Sequence, residues 1–427
     1  MKNRSQICQP EDRACVLNQQ RRLKMARSAH AYVRGNALKF YEWLESTTGK
    51  LLPQGPPVWI CGDCHLGNLG PVADVKGRVK IAIRDLDQTV IGNPAHDLIR
   101  LGLSLATAIR RSDLPGVTTA LMLEQMVEGY EGELRERGRR SQQPHDTPRS
   151  VQRVLKRALK RRWHHLAEER IEDVTPVIPL GKSFWPLSAI EKKEIAGIFK
   201  TSEVRHLITS LQDRDQEDEV NVLDAAYWMK GCSSLGRLRF AVLLEVGKKR
   251  RKNKKDRRFC LVDIKEAISA AAPRSPDAKM PRDNAQRVVE GARRLSPFLG
   301  QRMLAWRFAE SVVVLRELLP QDLKLEMDQL TREEAIAAAR FLAGVVGKAH
   351  ASQMDDKTRK KWRTDLSRNR SKNLDAPLVV VVECCGISGQ PRSCLFIADN
   401  MRYSPHSASF LRFSCGVPAR IREHGTL

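Results

Sequence analysis

Among the side chains between residues 58 and 98 that can bind cations or move protons, five form an ordered set at two strand ends: Asp63, His65, Asn68, Asp85 and Asp87. A short apolar run, Val58–Cys61, leads into a turn carrying Asp63, His65 and Asn68. A second run, Val79–Ile83, delivers Asp85 and Asp87. Carboxylates and an amide at strand ends can present oxygen ligands to a hard cation and its phosphate. A single Asp in a loop is more often a turn former or a helix cap. The ordered set across 35 residues is what points to chemistry.

The elements that must position these residues follow from periodicity. Residues 19–46 read as a helical region broken at Arg34-Gly35, where Arg34 is a candidate phosphate contact. Leu51–Pro57 is a Pro-rich connection. Residues 97–111 and 115–136 read as helices, and Asp97 at the start of the first is expected to cap or brace the preceding loop. A polar linker, 136–150, leads to a strongly basic helix at 151–171. Farther on, Val222–Met229 is apolar and is followed by Gly231-Cys232-Ser233-Ser234-Leu235-Gly236. Alternation through Leu238, Phe240, Val242, Leu244 and Val246 predicts a strand. A basic hairpin tip, Lys248–Arg258, separates it from the strand Phe259–Ile264, which ends in Lys265-Glu266-Ala267. Glu290 lies in the helix NAQRVVEGARRL, and Glu317 in a strand over 312–319 that runs into a hinge. Residues 331–352 form a long amphipathic helix, acidic at its start and carrying Lys348 and His350 near its end, as the helix dipole favours. His350 is read as structural.

At 427 residues the chain has room for one large domain or two ordinary ones. Hydrophobic content of 41% without an apolar run near 18 residues predicts a soluble protein with no membrane span. The N-terminal twenty residues lack an apolar signal core, so a cytoplasmic location and reduced cysteines are expected. Lys and Arg number 74 against 50 Asp and Glu, a net charge of +24. That field favours anionic partners, whether nucleotide, acidic substrate, nucleic acid or membrane surface, without choosing among them.

The stretch Cys61-Gly62-Asp63-Cys64-His65-Leu66-Gly67-Asn68 resembles the H-G-D-x-H-x-x-N of protein-kinase-like phosphotransferases of the aminoglycoside and choline kinase branch, with Cys61 in place of the first His. Arg84-Asp85-Leu86-Asp87, Gly92-Asn93-Pro94 and Asp97-Leu98 keep the gaps of that branch's second motif. The resemblance implies that Asp63 orients an acceptor hydroxyl with His65 beside it. It also implies that Asn68, Asp85 and Asp87 hold Mg²⁺ against ATP phosphates. Gly231, Ser233, Ser234 and Gly236 resemble the kinase Gly-rich loop. Lys265 would then meet the α- and β-phosphates, Glu290 would pair with Lys265, and the strand holding Glu317 would lead to the adenine-binding hinge.

The order of these parts, catalytic loop first and Gly-loop later, implies an α+β, protein-kinase-like two-lobed fold that is circularly permuted, with a helix-rich larger lobe. Residues 20–135 and 320–355 would form that larger lobe, 222–319 the nucleotide-clamping smaller lobe, 136–221 a divergent basic helical insert, and 356–427 an unassigned basic tail. The arrangement over roughly 20–355 is similar to the uncharacterised bacterial family called domain of unknown function 2252. The activity implied is ATP- and Mg²⁺-dependent transfer of phosphate to a hydroxyl of a small-molecule acceptor.

Three other readings compete. Cys61-x-x-Cys64 with His65 suggests zinc or thiol redox chemistry, but a structural zinc site needs a second similarly spaced pair, and Cys384-Cys385 are too close together to supply it. The basic run and basic helix would suit nucleic acid, but aromatic residues are only 5% of the chain and none lies in the run. A catalytically inactive nucleotide-binding pseudokinase is the third, given Cys61 and Ser233.

Overall fold

The computed structural model describes residues 8–26, 35–45, 52–109, 116–135, 147–161, 177–211, 214–230, 235–247, 258–322 and 330–368, a few single positions beside them, and the backbone of two strands in the tail. In chain order, helices α1 (Arg13–Met25) and α2 (Ala37–Trp43) precede strand β1 (Val58–Ile60), the hairpin β2 (Leu69–Ala73) and β3 (Val79–Ile83), and strand β4 (Val90–Gly92). Helices α3 (Ala95–Ile109), α4 (Gly116–Glu133) and α5 (Arg149–Lys160) follow. Next come β5 (Phe184–Trp185), α6 (Ala189–Ile198), α7 (Ser202–Thr209), β6 (Glu219–Trp228), β7 (Arg239–Gly247) and β8 (Arg258–Glu266). Helix α8 (Asn284–Leu295), strands β9 (Met303–Phe308) and β10 (Ser311–Leu318), and helices α9 (Arg332–Ala351) and α10 (Asp356–Arg368) complete the body. In the tail β11 (Leu378–Cys385) pairs with β12 (Pro391–Ala398) and not with the large sheet. The architecture is α+β.

Six strands form one antiparallel sheet in the order β5-β6-β7-β8-β10-β9. Successive side chains of a strand point to opposite faces, and the two faces feed separate cores. Phe240, Val242 and Leu244 pack with Leu17 of α1 and with Ile195, Ile198, Val204 and Ile208 of α6 and α7. Ala241, Leu243 and Leu261 pack with Phe184 and Trp228. The sheet therefore begins within the stretch expected to be an insert. A two-residue strand has no period to read, and β5 is held by ring contacts: Phe184 stacks on Trp228 and Trp185 on Tyr227, with centroids 5.7 and 6.0 Å apart.

A third core joins β1, β3, β4 and helices α2, α3, α4, α8, α9 and α10, with Ile60, Ile83, Leu101, Tyr130, Leu342 and Trp362 nearly inaccessible. The long helix α9 starts with a reciprocal cap. Thr331 Oγ1 accepts from the Glu334 amide while the Glu334 carboxylate accepts from the Thr331 amide. No helix among the described residues is long and apolar enough to cross a membrane.

Candidate active site

Residues 61–65 follow β1 and are held from several sides. Gly62 has φ +74°, and a Cβ there would collide with the Gln88 carbonyl oxygen, so only glycine fits this close approach. At the start of α3, the Asp97 carboxylate accepts from the Cys61 and Gly62 amides at 2.7 and 2.9 Å. Tyr41 Oη donates to the Gly62 carbonyl at 2.6 Å, and the Leu66 amide donates to Ser104 Oγ at 3.0 Å. Asn68 Nδ2 donates to the Asp63 carbonyl at 3.0 Å. The expected bracing role of Asp97 is what these bonds perform.

Asp97 is itself the end of a buried chain. Trp362 Nε1 lies 3.2 Å from Tyr130 Oη, Tyr130 Oη 2.9 Å from His350 Nδ1, and His350 Nε2 3.1 Å from Asp97 Oδ2. A carboxylate can only accept and an indole N–H can only donate. The ends are therefore fixed, with Trp362 a donor and Asp97 an acceptor, and with a neutral His350 the hydrogens run from Trp362 through Tyr130 and His350 to Asp97. His350 is fully buried and structural, as expected.

The Asp63 side chain meets Arg100 of α3. Both Arg100 Nε and a terminal guanidinium nitrogen donate to Asp63 Oδ1 at 2.8 Å, and His65 Nε2 stands 3.8 Å from Oδ2. Arg100 is 1% exposed and also lies over the Phe40 ring at 4.9 Å. Burial pushes the Asp63 carboxyl above its ordinary value although Arg100 pulls the other way.

The β2–β3 hairpin delivers Asp85 and Asp87 to the mouth of the large sheet. There Lys265, near the end of β8, lies 3.5 Å from both Asp85 carboxylate oxygens and is also ion-paired with Asp87. Burial opposes ionisation of Asp85, but Lys265, Arg316 and Arg239 outweigh it and hold that carboxyl well below the usual range. Burial and the neighbouring Asp85 charge push Asp87 up.

The two motif regions, 180 residues apart in the chain, thus meet. Other expected residues lie elsewhere. Glu290 pairs with Arg294 at 3.1 Å and Arg293 at 3.8 Å on its own helix instead of with Lys265, whose charge is already met by Asp85 and Asp87. Glu317 is buried against Arg214, with oxygens 2.5 and 2.8 Å from the guanidinium. Its neighbour Arg316 faces the site, so alternation along β10 turns Glu317 to the opposite face. Glu266 accepts from the Leu238 amide at 2.8 Å. Gly236 has φ +93° in the turn before β7. Gly231, Ser233, Ser234, Arg34 and the basic residues 248–257 lie outside the described residues.

Several site residues were not foreseen. Asp263 is held by Arg239 at 2.9 and 2.6 Å and lies 3.7 Å from Arg316. Arg316 in turn donates to the Arg84 carbonyl at 2.9 Å, and Arg84 donates to the Asp322 carbonyl at 3.0 Å. The available signal was a charge inside an apolar element: Asp263 in FCLVDIK and Arg100 in DLIRLGL. Two small cavities share Arg84, Leu299 and Arg316 as walls. One of about 20 Å³ is bounded by Val72, Leu166, Leu318 and Leu319, and one of about 30 Å³ by Asp85, Asp87 and Lys265. Each has room for about one water molecule, so a larger ligand enters only by spreading these walls.

Among the described residues no group of three or more His, Cys, Asp and Glu converges on a metal-binding point. Cys61 and Cys64 are buried free thiols, and Cys61 Sγ lies 3.5 Å from the Asp85 carbonyl.

Comparison with protein families places the chain. Residues 13–385 match the model of an uncharacterized protein conserved in bacteria, DUF2252, and the chain belongs to that family. No curated protein and no solved structure matches it.

Proposed function

We propose that this chain is an ATP- and Mg²⁺-dependent phosphotransferase with a two-lobed, kinase-like architecture whose lobes are permuted in sequence, and that it transfers phosphate to a hydroxyl of a small-molecule acceptor. One observation carries the reading: Lys265, from the second strand after the Gly-containing loop, meets Asp85 and Asp87, which follow the β2–β3 hairpin. Two sequence resemblances that stand in the wrong order along the chain converge at one place. The elements β6, loop, β7, β8 with its Lys, α8, β9 and β10 also follow one another as they do in the kinase nucleotide lobe.

The donor set suits the metal. Mg²⁺ is typically bound through one or two carboxylates with phosphate and water oxygens completing its shell. Asp85 and Asp87 supply the carboxylates, and Asn68 adds an amide near the same loop. Bound there, the cation would neutralise charge on the phosphate oxygens. The chain's own residues do the rest. Lys265 exchanges its carboxylate partners for phosphate. Asp63, raised by burial, accepts or orients the acceptor hydroxyl, and Arg100 fixes its carboxylate for that task. The cavity beside Leu318 and Leu319, which Arg84, Lys230, Arg316 and Asp322 also line, would have to open to admit the base. Catalysis is then positioning and charge neutralisation.

One observation favours a second reading, a nucleotide-binding pseudokinase: Asp63 Oδ1 is committed to Arg100. A thermal-shift titration with ATP and Mg²⁺, together and apart, tests binding. A ligand at 100 times its dissociation constant stabilises by about 2.7 kcal/mol. Loss of the Mg²⁺-dependent shift in Asp85→Ala supports the site. Release of ADP with a panel of hydroxyl compounds, abolished by Asp63→Asn, separates the kinase from the pseudokinase. No shift with any nucleotide refutes both.

A further inference from the structure

Helix α8 was expected to reach the site through Glu290, but a different residue makes the connection. Arg287 is 3% exposed. One of its terminal nitrogens donates to the Thr89 carbonyl. The other donates to the Asp87 carbonyl at 3.1 Å and to the Ile268 carbonyl at 2.8 Å. Ile268 lies three residues beyond Lys265, and Asp87 is one of the two carboxylates that Lys265 meets. A single guanidinium nitrogen therefore bridges the chain leaving the Lys265 strand and the chain carrying Asp87.

The same loop is held at other points. The Ala271 amide donates to Gln88 Oε1 at 2.6 Å, and Thr89 Oγ1 donates to the Ile60 carbonyl, just ahead of the Asp63 loop, at 2.6 Å. One turn along α8 from Arg287, Gly291 packs so closely on the Thr89 side chain that a Cβ there would overlap it. Residues 87–89 are thus the place where α8, the Lys265 strand and the Asp63 loop all touch. Arginine suits the position, because its planar fork can serve three carbonyl oxygens at once and its charge is permanent. A lysine at the same place would be a point charge on a flexible stem.

We infer that Arg287 is a positioning residue that sets Asp87 against Lys265, and that α8 acts through it to fix the spacing at which the site accepts a divalent cation with phosphate. The second half of this statement rests on the phosphotransferase reading; the first half does not. Hydrogen exchange tests the first directly. In Arg287→Met, peptides spanning 84–92 and 266–272 should exchange at least tenfold faster, including the Thr89 and Ala271 amides, while α9 is unchanged. Arg287→Lys should fall between. Unchanged exchange in both peptides, or an equal rise over the whole chain, overturns the proposal.

The second half is read from Mg²⁺ dependence. The Mg²⁺ concentration giving half of the ATP thermal shift should rise about tenfold in Arg287→Met, with partial recovery in Arg287→Lys, while the shift with ATP alone stays as in wild type. A general structural loss would lower both together and would count against it. A wild-type protein with no Mg²⁺·ATP shift refutes the phosphotransferase reading and, with it, this half, while the exchange result still decides the clamp.

Discussion

Arg100→Met keeps much of the side-chain length and the contact with Phe40 but removes the charge that faces Asp63. The pair is well shielded, with side-chain exposures of 1% for Arg100 and 13% for Asp63. Removing one partner of a buried ion pair costs about 3–5 kcal/mol, because the other charge is left uncompensated. That is a factor of roughly 10²·² to 10³·⁷ in the unfolding equilibrium. The loss also has a pH signature. Burial already holds the Asp63 carboxyl above its ordinary value, with Arg100 opposing the rise. Without Arg100 it rises further. A carboxyl raised in the folded state destabilises that state only when ionised, so the penalty grows as pH climbs from the unfolded value of about 4 and levels off above the folded value. The gap between wild type and variant should therefore be widest at neutral pH and narrow toward pH 4. Urea unfolding followed by tryptophan fluorescence at pH 4.5, 6 and 8 measures it. The double variant Arg100→Met, Asp63→Asn should be far less destabilised than the sum of the single variants. A loss below about 1 kcal/mol at pH 8 with no pH trend, or strict additivity in the cycle, would refute the claim that this pair holds the loop.

Asp97→Asn removes the charge that accepts from two amides and from His350. Hydrogen bonds to charged groups contribute about 1.5–3 kcal/mol each, so chemical denaturation should show a loss of at least about 3 kcal/mol. Lys265→Met removes a main cause of the depressed Asp85 carboxyl. A depressed carboxyl contributes stability that is present above about pH 4 and lost as pH falls through the folded value. The variant should therefore trail wild type at neutral pH and converge with it in acid, and convergence absent from an acid-unfolding series would count against the pairing. Glu290→Gln touches only exposed partners on its own helix, so stability should change by less than about 0.5 kcal/mol and any nucleotide shift should be unaffected. A large loss of that shift would restore Glu290 to the site.

The elements around the site were legible where a period or a cap announced them. Strand β7 shows its alternation and β8 its apolar run, and α8 and α9 are capped by Asp283 and Thr331, both of which accept from a first-turn amide. Asp63, Asn68, Asp85, Asp87 and Lys265 were legible as types at spacings, and the fold brings Lys265 to the two Asp side chains. Partner choice was not legible. Helical periodicity says that α8 has an inner face but not whether Arg287 or Glu290 reaches past it. Strand alternation separates Arg316 from Glu317 without saying which faces the cleft. Arg100 escaped notice because an apolar helix conceals a buried cation unless its acceptor is already known to lie opposite. The two-residue strand β5 had no period to display.

The chain from Trp362 to Asp97 has a consequence for biosynthesis. Asp97 and His350 are 253 residues apart. At the usual ribosomal pace of about 5–20 residues per second, the histidine emerges roughly 13–50 s after the aspartate. Over that interval the residue 61–63 turn has its own glycine and Tyr41 but lacks the full set of partners on Asp97. Its final bracing comes only when α9 and α10 dock, so the nascent polypeptide completes the part with the chemistry only after residue 362 has emerged. A ribosome stalled before residue 350 would carry the motifs of the site without the support that makes them one.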